Sequence, residues 1–383
     1  MNASATGCDV LVVGGGLAGG ACALRLAEAG ADVLLVEREA GAHDKVCGEF
    51  LSGEAASMLD DLGVGALLAD APRIARLELA HGRAAARADL PFLARGLSRQ
   101  RLDEALLARA GERGARIVRG LAVRALEREP EGGLMARLSD GSRVRARRVV
   151  LATGKHDLRG HRRPPPERDL VGLKAHLALA PQAAASLADL VHLTLFAGGY
   201  AGLQRVEGGR ANLCLVAPAQ RVRAAGGFET LVAEIARETP SLSARLAGAR
   251  LASSAPVAIA RIPYGFVHRP GDAEHHDLLR VGDQAGVVPS FCGDGMAMAL
   301  YGGLSAAQAL AEGAPAQVHH ARLAQAIGPA IARARTLEQV GAGALGRSLV
   351  VAAARLVPGL AARAAAATRV PEPAWRALVR TRP

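Results

Sequence analysis

The apolar positions near the start of the chain come in short unbroken runs. Val10 to Val13 is wholly apolar, and Val33 to Val36 repeats the pattern before Glu37. Runs this short, bounded by glycine, predict strands buried on both faces, as in a parallel sheet. Between them, Ala21 to Ala29 carries small and apolar residues at helical spacing and stops at Gly30. The segment from Asp9 to Glu37 therefore predicts a βαβ unit. Further on, the spacing predicts a helix over 53–62 with Ser52 as its N-cap, and another over 102–111. Strands are predicted over 116–118 and 121–126, then a hairpin of 134–138 with 143–151 around Asp140-Gly141. Pro164, Pro165 and Pro166 exclude helix and central strand from 161–168, which reads as a connector. Strand-like segments follow over 170–179, 191–196, 200–206 and 211–216. A helix is predicted over 228–247, a buried strand over 278–281, and a helix from Met296 that Gly313-Ala314-Pro315 breaks. The remaining tail reads as helical and rich in Ala and Arg, and the chain shows no internal repeat.

Composition narrows the function classes. The 383 residues are 50% hydrophobic and 22% charged, which is ordinary globular usage. The net charge is +11, but the basic residues are scattered and aromatics make up only 3%. Single-strand binding uses aromatic platforms in a basic groove, so no nucleic-acid partner is expected. The five cysteines include no CxxC pair, which argues against a disulfide framework and a zinc site, and no metal is expected. No apolar stretch reaches the roughly 20 residues that span a bilayer. A cytoplasmic protein acting on a small molecule is the expectation. The Arg and apolar alternation from Gln317 fits packing on the body and leaves peripheral membrane contact through the C-terminal helices open.

Two motifs far apart point to one dinucleotide. Gly14-x-Gly16-x-x-Gly19 follows a strand and opens a helix through Leu17 and Ala18. Gly14 permits the tight turn, Gly16 lets a pyrophosphate approach the backbone, and Gly19 permits close helix–strand packing. The helix N-terminus supplies free N–H groups and partial positive charge. Glu37, about 20 residues on, stands where a carboxylate meets adenosine ribose hydroxyls, with Arg38 beside it. The second motif is Gly282-Asp283, then Pro289 to Met296. A dinucleotide bearing an isoalloxazine ring needs such a second site. Asp283 would accept from the ribityl chain, and the turn Gly293-Asp294-Gly295-Met296 at a helix start would present N–H donors to the pyrimidine carbonyls. FAD is thus the expected cofactor.

Five pieces carry a family resemblance: VVGGGLAGG (12–20), KVCGEFLS (45–52), LSRQRLDEALL (97–107), LATGK (151–155) and VGDQAGVVPSFCGDGM (281–296). The chain resembles FAD-dependent oxidoreductases of the aromatic-hydroxylase superfamily, the group A flavoprotein monooxygenases, in the branch similar to geranylgeranyl reductases. The resemblance implies an α/β fold, with a Rossmann-like FAD-binding domain, an inserted mixed β-sheet substrate domain and a helical C-terminal tail. The FAD-binding part is expected over 1–75, 97–160 and 278–312, the substrate sheet over 76–96 and 161–277, and the tail over 313–383. It also implies that Arg99 lies near the ribityl and phosphate portion, and that the Val123 backbone meets the adenine. Cys47 and Gly48 would lie on a loop by the flavin flanked by Lys45 and Glu49, and Thr153 and Gly154 would belong to the cofactor site.

Some segments depart from the family pattern. Hydroxylases usually carry Asp-Gly in the middle motif, where this chain has Ala152-Thr153-Gly154-Lys155. That questions NAD(P)H as direct reductant and leaves it open as electron donor. The single tryptophan, Trp375, cannot supply the tryptophan pair of flavin halogenases. Ile262-Pro263-Tyr264-Gly265-Phe266 stands where the reductase branch has Tyr-x-Trp. The favoured expectation is a monooxygenase that hydroxylates an aromatic or polyketide-like molecule through a C4a-hydroperoxide. The alternative is a C=C reductase of prenyl or lipid-like substrates, with Cys47 or Tyr264 as proton donor. A further alternative is a non-catalytic electron-transfer protein. Tyr200 is a third catalytic candidate, able to orient a phenol or carbonyl.

Overall fold

The computed structural model describes residues 6–252, 255–269, 271, 275–357 and 359–380. In chain order it begins β1 (Thr6–Val13), α1 (Leu17–Glu28), β2 (Val33–Glu37), β3 (Phe50–Leu51) and α2 (Gly53–Asp61). The long strands β4 (Arg73–His81) and β5 (Ala84–Gly96) follow, then α3 (Arg99–Glu112) and β6 (Arg116–Arg119). A meander of β7 (Val123–Arg128), β8 (Leu134–Leu138) and β9 (Arg143–Leu151) completes the first part. The middle section runs β10 (Leu170–Ala178), α4 (Pro181–Ser186), β11 (Leu190–Phe196), β12 (Gly199–Arg205) and β13 (Ala211–Pro218). It continues α5 (Ala219–Ala225), α6 (Phe228–Glu238), α7 (Pro240–Leu246), β14 (Arg250–Leu251) and β15 (Val257–Ala260). The chain then returns through β16 (Leu278–Arg280) to α8 (Gly295–Ala311), α9 (Ala316–Val340), α10 (Ala344–Leu356), α11 (Leu360–Ala367) and α12 (Glu372–Arg380).

Two sheets organise these elements. In the first, β1 pairs in parallel with β2 and β9, β6 lies parallel outside β2, and β16 runs parallel along the end of β9. The registers put Val13 beside Val36 and Leu151, and Leu151 beside Arg280. The loops after β1, β9 and β16 therefore leave from one edge, the carboxyl edge where open α/β sheets bind ligands. The second sheet has the order β14-β10-β13-β12-β11-β4-β5-β3, with β15 also on β10. The β4–β5 hairpin belongs to it through parallel pairing of β4 with β11.

Packing joins the two loop systems. A Cβ on Gly303 of α8 would lie 2.2 Å from the Ala18 carbonyl oxygen, so α8 crosses α1 at backbone contact. The core between helices and parallel sheet collects Leu17, Leu24, Leu106, Leu300 and Leu304, each almost fully buried. The tail folds back: α10 and α11 pack on β5, and α12 packs on α2 and α8.

Four local expectations are corrected. The predicted helix over 228–247 is two helices, because Pro240 lacks an N–H and Thr239 takes an extended conformation. Ser52 precedes α2 but its side chain makes no cap bond, whereas Ser98 caps α3 by accepting from the Arg101 N–H at 3.3 Å. The helix predicted from 102 accordingly starts at Arg99. The strand predicted over 121–126 runs Val123–Arg128.

Candidate functional site

The glycine loop after β1 is shaped by contacts that exclude side chains. Gly14 has φ +109°, and a Cβ on Gly19 would fall 1.9 Å from the Gly14 carbonyl oxygen. The loop therefore lies directly on the first turn of α1. At the end of β2, the buried Glu37 carboxylate accepts from the Gly15 N–H at 2.6 Å and from the Glu39 N–H at 3.0 Å. Its carboxylate is thus set against the glycine loop. Arg38 points away, toward Glu39 and His156.

Two cations stand over this helix start. A Cβ on Gly16 would meet the Arg99 guanidinium at 3.3 Å and the Lys45 ammonium at 3.7 Å. Both cations share Asp103: Arg99 holds it with two bonds of 2.9 Å and Lys45 with one of 2.7 Å. Burial works against the charges of Arg99 and Asp103, but the pairing outweighs it. Arg99 is shifted up and Asp103 down, so both stay ionised. Two cations against one carboxylate leave a net positive charge at a helix N-terminus, the arrangement that binds a pyrophosphate.

The second motif arrives on the same groove. Gly282 has φ +58°, and a Cβ there would stand 3.2 Å from the Ala18 Cβ. Asp283 pairs with Lys155 at 3.0 Å, and Arg163 donates to the Asp283 carbonyl at 3.0 Å. Burial pushes the Asp283 carboxyl up, but Lys155 more than offsets this and holds it below the usual range. Gln284 donates to the Gly154 carbonyl at 2.8 Å, which pins the 152–155 turn to the 282–284 turn. The loop from Pro289 ends at Gly293, φ +74°, where a Cβ would strike the Phe50 ring at 2.7 Å. Asp294 then starts α8, fully buried, with Arg369 at 2.6 Å from its Oδ1. Burial raises its carboxyl to about 7, and Arg369 only partly opposes this.

Of the predicted cofactor residues, Gly16, Leu17, Ala18, Cys47, Gly48 and Arg99 line this one groove with Gly154, Gly282, Asp283, Gly293, Gly295 and Met296. Gly14 and Gly19 shape it from beneath. Val123 begins β7 with its side chain in the core on the far side of the sheet, and the resemblance gives a cofactor role to its backbone alone. Thr153 turns its hydroxyl to the His156 carbonyl at 2.6 Å.

The loop carrying Cys47 is held by residues that sequence reasoning left unassigned. Glu49, at φ 55° and fully buried, accepts from the Arg99 N–H at 3.0 Å, from Lys174 at 2.9 Å and from His176 Nε2 at 2.6 Å. Lys174 also reaches Asp44 at 2.7 Å. Asn212 donates to the Cys47 and Gly48 carbonyls at 3.0 and 2.8 Å. Arg99 lies 50 residues away and the other partners more than 100, so no local pattern signals them.

A cavity of about 500 Å³ opens beside the groove. Its walls are the apolar side chains of β4 and β11, Phe291, and the helices α10 and α11. Groove and cavity share Gly48, Phe50, Cys214, Val216, Ser290 and Gly293. Tyr200 lines the cavity, edge-on to Phe291 at 6.2 Å between centroids. Tyr264 lines the groove and its hydroxyl meets Ser290 Oγ at 2.5 Å. Cys47 lines the groove and not the cavity. Burial raises the Tyr200 and Tyr264 phenols, so both stay protonated. Burial also pushes the Cys214 thiol up to about 12. Ser290 falls within the second motif, whereas Cys214 lies outside every motif.

Comparisons with known proteins agree with this geometry. Residues 7–165 match the FAD binding domain family model. The chain is similar to a menaquinone reductase of Mycobacterium tuberculosis, 32% identical over 152 residues, covering 38% of this chain and 37% of that protein. It is also similar to the ubiquinone hydroxylase UbiL of Rhodospirillum rubrum, 31% identical over 163 residues, covering 38% and 37%. The matches thus span well under half the length of these curated relatives. A solved geranylgeranyl bacteriochlorophyll reductase-like protein of Thermoplasma acidophilum shares the fold, with TM-score 0.77 and 18% identity over 99% of this chain and 97% of that one. The chain carries an FAD-binding domain and has the fold of FAD-dependent oxidoreductases.

Proposed function

We propose that this chain is an FAD-dependent oxidoreductase that hydroxylates a bulky, apolar substrate. The observation that carries this is the direct junction between the FAD groove and a large apolar cavity. Glu37 would take the adenosine ribose, and the glycine loop with Arg99 and Lys45 would take the pyrophosphate. Asp283 would meet the ribityl chain, and the N–H groups of Gly293 to Met296 the pyrimidine edge. Bound FAD supplies the redox chemistry: it carries reducing equivalents and, in a hydroxylase, passes an oxygen atom from O2 to the substrate. The chain's own part is to exclude water and to orient. Leu79, Leu193 and Phe291 keep the cavity dry, which protects reactive species from hydrolysis. The Tyr200 phenol, protonated and on the cavity wall, donates a hydrogen bond to a substrate phenol or carbonyl. The positive end of α8 would favour negative charge on a flavin ring edge held by Gly293 to Met296.

Hydroxylation is preferred because Cys47, the proton donor proposed for a reductase, is on the groove side and does not line the cavity. One observation favours C=C reduction as a second reading. Cys214 stands at the junction as a neutral thiol and would be the donor in place of Cys47. The two relatives are named as a quinone reductase and a quinone hydroxylase, so both reactions are tested on a prenylated phenol, whose ring reduced flavin does not reduce and whose only reducible C=C lies in the side chain. The FAD-loaded chain is photoreduced without air and mixed rapidly with oxygen and that substrate. A transient near-ultraviolet band before reoxidation, with a product one oxygen heavier, supports hydroxylation. A product two hydrogens heavier, formed without oxygen, supports reduction and overturns the first reading.

A further inference from the structure

The helix α10 is apolar on two sides. Its inner side seats Val351 against β4 and β5. Its outer side carries Leu345, Leu349 and Leu356, which are 81, 66 and 77% exposed, with the exposed Ala352 between them. The spacing of three and four residues puts them on one helical stripe. The helix α11, bent 113° from α10, adds Leu360, and Val340 and Val357 are exposed nearby in sequence. A contiguous apolar surface of this kind marks an interaction site.

Two further observations say what covers it. Arg355 and Arg363 are exposed beside Leu356 and Leu360 in the chain, and the single acidic residue of 341–383, Glu372, is already paired with Arg376. The partner is therefore anionic. A second copy would set Arg355 and Arg363 against the same two arginines, with no acidic residue on α10 or α11 to answer them. The cavity also reaches this surface, since Val340, Leu349 and Leu360 are exposed and line it at once. Among the described residues no single helix is long and apolar enough to cross a membrane; α10 and α11 together have the length and composition, but they are bent by 113° and both pack on β5, so here they are placed lying on a membrane.

We propose that the α10–α11 face docks on an anionic phospholipid surface and that the cavity is loaded from it. Leu345, Leu349, Leu356 and Leu360 enter the acyl boundary, and Arg355 and Arg363 pair with headgroup phosphates. The loading step rests on the cavity being the substrate site; the docking step does not.

The test is vesicle flotation of the FAD-loaded full chain, with flavin absorbance and melting temperature as controls for folding. Vesicles are phosphatidylcholine alone or mixed with phosphatidylglycerol. The wild-type chain floats with the anionic vesicles. The L345D/L356D variant, whose altered residues do not line the cavity, partitions at least about tenfold less. The R355E/R363E variant loses the preference for anionic lipid, roughly tenfold. No flotation, or equal flotation of wild type and L345D/L356D, overturns the docking. So does a dimer that L345D/L356D dissociates. A chain that floats but oxidises only water-soluble compounds overturns loading and the cavity reading while docking stands.

Discussion

Gly19 tolerates no side chain, because a Cβ there would stand 1.9 Å from the Gly14 carbonyl oxygen. Gly19→Ala is expected to displace the loop and to weaken FAD binding by about 100-fold or more, which flavin fluorescence titration would read. Arg99→Ala removes a buried cation from the pyrophosphate position and is expected to weaken FAD binding by roughly ten- to 100-fold, from about 1.5–3 kcal/mol for a charged hydrogen bond. Asp294 gives a pH prediction. Its carboxyl is raised by burial to about 7 in the folded chain, against about 4 when unfolded. The folded state then holds the proton more tightly, so this group's contribution to stability is full below about pH 4 and is lost as pH rises toward 7. Asp294→Asn is expected to flatten the melting temperature over that window. A wild-type and variant difference that does not change between pH 4 and 7 would contradict the assignment. At this scale the sequence was legible where backbone geometry demands a residue type, as at Gly14, Gly19 and Gly293. It was not legible for Glu49, Lys174 and His176, whose meaning comes from contacts between residues more than 120 positions apart.

Among the elements, the two glycine-rich turns could be read because each sits between a buried strand and a helix. The tail could not be read in the same way. Alternating Arg and apolar residues describe a helix that packs, a helix that lies on lipid, or one that does both, and α10 has apolar residues on both sides. What the sequence hid is that α10 and α11 wall the apolar cavity. Ala353 on α10 lines that cavity, so Ala353→Trp is expected to fill it. The KM for an apolar substrate should rise by about tenfold or more, while FAD affinity stays within about twofold of wild type. A matched loss of FAD would show that the helix supports the groove instead. The helix over 228–247 was misread because helical periodicity continues across Thr239-Pro240, although the proline itself signals the break.

In the whole molecule, a groove at the carboxyl edge of the parallel sheet opens onto an apolar cavity against the second sheet. The close crossing of α1 and α8 brings the two motifs together, and the loop from Cys47 to Glu49 stitches sheet to sheet. The central claim is that oxygen passes from O2 to a substrate held in that cavity. The most direct test is one turnover of reduced, FAD-loaded chain with a prenylated phenol under heavy-isotope oxygen gas, followed by mass spectrometry of the product. The account predicts one heavy oxygen atom in the product, and its loss in Ala353→Trp. A product that gains only hydrogen, or whose new oxygen comes from water, would contradict it.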